Sequence, residues 1–131
     1  MIIIKRKVVE NIFKHGQQET PFEACGYLAG RDNQITNYYP MTNIDKSEDH
    51  FTLDSKEQFA VLKETRAAGL TIIAVAHTHP TGPAKPSDED IKLAFDPDTI
   101  YVIASLIEQK NEIKAFKIRN GISKIERLEI I

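Results

Sequence analysis

Thr71-Ile72-Ile73-Ala74-Val75-Ala76-His77-Thr78-His79-Pro80 is a β-rich apolar run that ends in two histidines and a proline. A run of this kind predicts a central strand covered on both faces. Such a strand implies a sheet with helices packed over it. Residues i and i+2 of a strand point to the same side, so His77 and His79 can converge on one ion if the strand reaches that far. The loop that follows holds Pro80, Gly82, Pro83 and Pro86 and has few accessible conformations. Ser87-Asp88-Glu89-Asp90 then opens a helix, predicted to run from about Asp88 to Phe95.

Outward from this centre the pattern is mixed α/β. Val8, Val9, Ile12 and Phe13 have helical spacing, with Gly16 as the expected stop. Ala24 to Ala29 and Ile35 to Tyr39 read as a hairpin around Gly30-Arg31-Asp32-Asn33. Residues 40–53 read as a loop followed by a short strand over His50-Phe51-Thr52-Leu53. Asp54 and Ser55 offer two overlapping capping boxes to a helix carrying Phe59, Leu62 and Ala67 and closing at Gly69. Ile100 to Leu106 predicts a second buried strand, and Glu112 to Arg119 a third beyond it. Asn120-Gly121 is a hairpin turn leading into a last strand over Ile122 to Ile131. The sum is six or seven strands and three helices, with at least one helix on each face of a central sheet.

Composition narrows the classes. The 131 residues are expected to form one domain over 1–131. A single cysteine, Cys25, rules out an internal disulfide and fits a reducing, cytoplasmic setting. A net charge of -2 gives no positive field for a nucleic-acid backbone. Met1-Ile2-Ile3-Ile4 is too short an apolar run to cross a membrane. The expectation is therefore no nucleic-acid partner and no membrane.

Two histidines and a carboxylate suit a zinc ion with three protein ligands and an open fourth position for water. Closed structural zinc sites usually draw on several cysteines, which this chain lacks. Ser87 and Asp90 are explained equally well as a helix cap with an acidic first turn. A hydrolytic site also needs a base. Glu23 stands between Phe22 and the apolar Ala24-Cys25-Gly26-Tyr27-Leu28 run. It is either a solvated strand end or a partly buried carboxylate whose pKa burial raises. The same ligand types also suit a mononuclear iron oxygenase.

Glu23, then His77-x-His79, seven residues, Ser87, two residues and Asp90 resembles the JAMM motif of the JAB/MPN metalloprotease superfamily. Glu23-Ala24-Cys25-Gly26-Tyr27-Leu28-Ala29-Gly30 resembles its first-strand signature, and Pro80 and Pro86 are familiar from bacterial and archaeal members. Thr78 stands where serine is more usual. The resemblance runs from about residue 5 to 120. It implies a cytidine-deaminase-like fold, one zinc ion on His77, His79 and Asp90, Glu23 as general base, and Ser87 as a donor to the developing oxyanion. It implies no chemical role for Cys25. The substrate implied is an amide after the Gly-Gly tail of a ubiquitin-like or sulfur-carrier protein, cleaved by a minimal peptidase or isopeptidase. The rival implied reading is a non-catalytic scaffold, the role of many MPN domains. A cytidine deaminase is disfavoured, because the His-x-Glu and Pro-Cys-x-x-Cys elements are missing.

Overall fold

The central run is a nine-residue strand, and the sheet is organised around it. The computed structural model describes residues 1–107 and 111–131. Its elements are β1 (Ile2–Ile4), α1 (Arg6–Glu19), β2 (Cys25–Arg31), β3 (Gln34–Met41), α2 (Ser55–Ala67), β4 (Thr71–His79), α3 (Asp88–Lys92), β5 (Ile100–Ser105), β6 (Ile113–Arg119), β7 (Ile122–Glu126) and β8 (Leu128–Ile130). The eight strands form one mixed sheet in the order β7-β6-β5-β4-β2-β3-β1-β8. β4 pairs antiparallel with β2 and parallel with β5. It continues through both histidines to His79, so the register carries them into the heart of the sheet.

The final strand differs from the sequence expectation. It breaks at Arg127: β7 pairs with β6 at one edge, and β8 pairs with β1 at the other. One residue thus joins the two edges, and the Arg127 carbonyl accepts from the Ile2 amide at 2.8 Å. The sheet must curl until its edges meet, which makes it nearly closed. β1 itself arises from the opening isoleucines, which pair with β3 and β8.

α1 and α2 cover opposite faces. Val8, Ile12 and Phe13 of α1 pack with Leu28, Ala74, Ala76, Val102 and Ala104. α2 lies over the other face, where Gln58 donates to the Tyr27 hydroxyl at 2.8 Å and Tyr27 sits beside Val75. Its inward residues are Val61 and Thr65, whereas Phe59 is 71% exposed and Leu62 is also outward. The expected capping boxes do not close. Asp54 caps Lys56, but Glu57 instead accepts from the Thr42 amide and hydroxyl at 2.7 and 2.9 Å. His50–Leu53 forms no strand, only a bridge between Asn43 and Leu53. α3 ends at Lys92, short of the expected Phe95, which is left 85% exposed.

α1 also runs past Gly16, the expected stop. The reason is tertiary. A Cβ at Gly16 would lie 2.8 Å from Thr78 Cγ2 and 3.3 Å from Leu106 Cδ2, so the missing side chain lets the helix settle on β4. Gly16→Val should therefore destabilise the fold by about 1–3 kcal/mol through overpacking. Chemical denaturation checks this; an unchanged midpoint would remove the close-approach account.

Candidate metal centre

The site is built where β4 ends beneath the proline loop. His77 and His79 project to the side opposite α1, and Thr78 projects toward α1. The Pro83 carbonyl lies 2.8 Å from His79 Nδ1. A carbonyl can only accept, so Nδ1 carries the proton and Nε2 faces the site. Ser105 steadies the loop, its hydroxyl donating to the Gly82 carbonyl at 2.7 Å. Phe51 lies against His77, ring centroids 4.8 Å apart.

Asp90 arrives from the first turn of α3. Its Oδ2 is 3.2 Å from His77 Nε2 and 3.0 Å from His79 Nε2, and the two Nε2 atoms are 3.2 Å apart. The same carboxylate closes a capping box, accepting from the Ser87 amide at 3.0 Å while Ser87 Oγ accepts from the Asp90 amide at 3.1 Å. Capping and convergence on the histidines thus use one side chain together. Burial works to raise the Asp90 pKa, but hydrogen bonds from His77 and His79 outweigh it and hold the group well below the usual carboxylate range. Burial lowers the pKa of His77. On His79 burial is outweighed by Asp90 and the Pro83 carbonyl, and the pKa rises.

Glu23 is 2% exposed, two residues before β2, which excludes the solvated strand-end reading. Its Oε2 is 3.9 Å from His79 Nε2, and its Oε1 is buried with no hydrogen-bond partner among the described residues. Burial pushes its pKa up to about 8, against the pull of His79. An orphaned carboxylate oxygen is costly unless something fills the space before it. Cys25 is fully buried and pairs across to His77, but burial pushes its thiol up to about 12. That leaves it protonated and inert at neutral pH.

Three ligand-type atoms, one each from His77, His79 and Asp90, lie within 4.8 Å of one another. His77 Nε2, His79 Nε2 and Asp90 Oδ2 lie 3.0–3.2 Å from one another, close enough to share one cation. Nitrogen and carboxylate donors fit zinc, and three of them leave a position open. The residues present therefore fit a catalytic metal, and the Glu23 carboxylate lies at its margin, with Oε2 3.9 Å from His79 Nε2. An iron site of the oxygenase type has the same donors, but no feature of the fold favours it.

Two clefts flank the triad. One, of about 450 Å³, reaches His77 and Asp90 and is walled by Tyr27, Phe51, Leu53, Leu93 and Tyr101. The other, of about 190 Å³, holds Glu23, His79 and Ser87 with Glu48 and Lys85 at its rim. Ser87 Oγ accepts from the Asp90 amide, so its hydroxyl proton is free to be donated into this second cleft. Sequence reasoning missed three residues here: Phe51, Pro83 as the partner of His79, and Asn43, treated below. Only Pro83 carried a signal, as part of the stiff loop.

Comparison with known proteins places these features in context. The family described as prokaryotic homologs of the JAB domain matches residues 5–119. The CysO-cysteine peptidase of Mycobacterium tuberculosis is 31% identical over 134 residues, spanning 100% of this chain and 92% of that protein. The probable TtuB-protein conjugate cleaving protease of Thermus thermophilus is 34% identical over 97 residues, 72% of this chain and 64% of its own. The solution structure of protein DSY2949 from Desulfitobacterium hafniense superposes with a TM-score of 0.93 at 38% identity, covering 100% of this chain and 93% of that one.

Proposed function

The chain belongs to the family of prokaryotic homologues of the JAB domain, and from that premise we propose that it is a zinc-dependent peptidase or isopeptidase whose substrate is an amide after the C-terminal tail of a ubiquitin-like or sulfur-carrier protein. One observation carries the reading: the buried Glu23 carboxylate, with an unpartnered oxygen, stands beside three converging ligand atoms. In this reading residues 1–131 form one metalloprotease domain acting in the cytoplasm. Among the described residues, no helix is long and apolar enough to cross a membrane.

His77, His79 and Asp90 would hold one zinc ion. Bound there, zinc acts as a Lewis acid toward a carbonyl and brings the pKa of water near 7. Glu23 takes the proton from the attacking water and delivers it to the leaving amine. Its raised pKa suits a group that must both accept and release a proton near neutrality. Ser87 donates its hydroxyl proton to the oxygen on which negative charge grows. The Pro83 carbonyl holds His79 in the tautomer that presents Nε2. The two clefts leave room for an extended chain on either side of the scissile bond.

The relatives are named for CysO-cysteine and for TtuB-protein conjugates, which supports a carrier-protein tail as the substrate. A non-catalytic scaffold accounts less well for the site, since an assembly module gains nothing from a buried carboxylate without a partner. The test is mass spectrometry of a carrier protein ending in Gly-Gly, extended by one cysteine through an amide bond, before and after incubation with the zinc-loaded protein. Loss of the cysteine mass supports the reading. An unchanged mass with this and with a Gly-Gly isopeptide conjugate refutes it.

A further inference from the structure

Glu23 is held by its backbone, and one side chain ties that backbone to the wall of both clefts. Asn43 follows β3 and is only 8% exposed. Its Nδ2 donates to the Glu23 carbonyl at 3.1 Å and to the His50 carbonyl at 3.0 Å. Its Oδ1 accepts from the Asp45 and Thr52 amides, both at 3.2 Å. A carboxamide offers two donor hydrogens and two lone pairs, and all four are used. The Glu23 amide in turn donates to the Ser47 carbonyl at 2.8 Å. The next residue is clamped from the other side: the Ala24 amide donates to Thr78 Oγ1 at 2.9 Å, and the Thr78 amide to the Ala24 carbonyl at 3.0 Å.

The segment that Asn43 gathers is the one that meets the clefts. His50, Phe51, Thr52 and Leu53 line the larger, and Glu48 and Asp49 the smaller. We propose that Asn43 is a positioning residue that locks the cleft-lining segment 45–52 to the Glu23 backbone, so that substrate held by this segment and the base share one rigid frame. The inference rests on the reading of Glu23 as base. It adds a residue with no ligand or base chemistry of its own, acting only through the two parts it joins. Aspartate lacks the donors, and alanine would strand two carbonyls and two amides.

Two variants separate the ties. Asn43→Asp keeps acceptors for Asp45 and Thr52 but loses both donors, and Asn43→Ala loses everything. In the zinc-free protein, amide hydrogen exchange followed by NMR should quicken at Glu23 and Ala24 by about tenfold or more in both variants. Exchange at Ala76 and Val102 in the sheet should stay as in the wild type. With zinc bound and the cysteine-extended carrier as substrate, Asn43→Asp should lower kcat about ten- to a hundredfold with little change in KM. Asn43→Ala should also raise KM, because the cleft wall loses its own ties. A merely structural role would lower the folded fraction without this division between kcat and KM. Should both variants fail to fold, the Asn43 side-chain NH2 protons of the wild type decide the matter: slow exchange supports the lock, and exchange at the rate of a free carboxamide overturns it. Wild-type exchange at Glu23 and Ala24, or wild-type kcat per zinc-loaded site, overturns the inference. A wild-type protein that leaves the carrier intact overturns the functional reading instead, and the exchange measurement still decides whether Asn43 locks the segment.

Discussion

Glu23→Gln should retain zinc and lose about a hundred- to ten-thousandfold in turnover. The substitution keeps size and hydrogen-bonding reach and removes only the ability to take a proton. Glu23 Oε2 lies 3.9 Å from His79 Nε2, so the group borders the ligands without being one of the converging three. Zinc content measured by elemental analysis should therefore match the wild type. Folding stability should hold or rise, because a neutral amide is cheaper to bury than a carboxylate whose pKa burial has already driven to about 8. Turnover at the wild-type rate with full zinc would remove Glu23 from the reaction and leave the site a metal holder. Lost turnover accompanied by lost zinc would recast Glu23 as a fourth ligand.

The site was partly legible in the sequence because its chemistry coincides with local periodicity. Strand alternation alone puts His77 and His79 on one side and Thr78 on the other, and β4 follows that rule to its last residue. Helix capping alone brings Ser87 and Asp90 together. What local pattern could not carry is every contact made across the sheet. Gly16 looks like a stop until Thr78 and Leu106 fill the space where its side chain would be. Ile122–Ile131 looks like one strand until the closing sheet demands that Arg127 join two edges. Phe59 and Leu62 look like the inward face of α2, yet that helix buries a neighbouring face, at Val61 and Thr65. Asn43 reads as a polar loop residue, and its importance exists only once Glu23 and Thr52 surround it. The family resemblance supplied the base, which local pattern left undecided between water and burial.

His77→Ala gives the sharpest test of the metal, because His77 has so little else to do. Asp90 also caps α3 and His79 also holds the proline loop, so substitutions there mix two losses. His77 Nδ1 has no partner among the described residues, and the ring's polar contacts are those with His79 and Asp90. In the absence of metal the variant should lose the packing of the ring against Phe51 and its contacts with Asp90 and His79. That loss is the same whether or not zinc is added, so the stability gained on adding zinc isolates the ligand role. The wild type should gain about 2.7 kcal/mol when free zinc stands at a hundred times its Kd. The variant should gain almost nothing at the same concentration, since losing one of three donors weakens binding by more than the roughly ten- to hundredfold cost of losing an outer-shell partner. Unfolding curves with and without zinc measure both increments. Equal gains in the two proteins, or stoichiometric zinc in purified His77→Ala, would remove His77 from the ligand set and leave its contacts with His79 and Asp90 as hydrogen bonds alone.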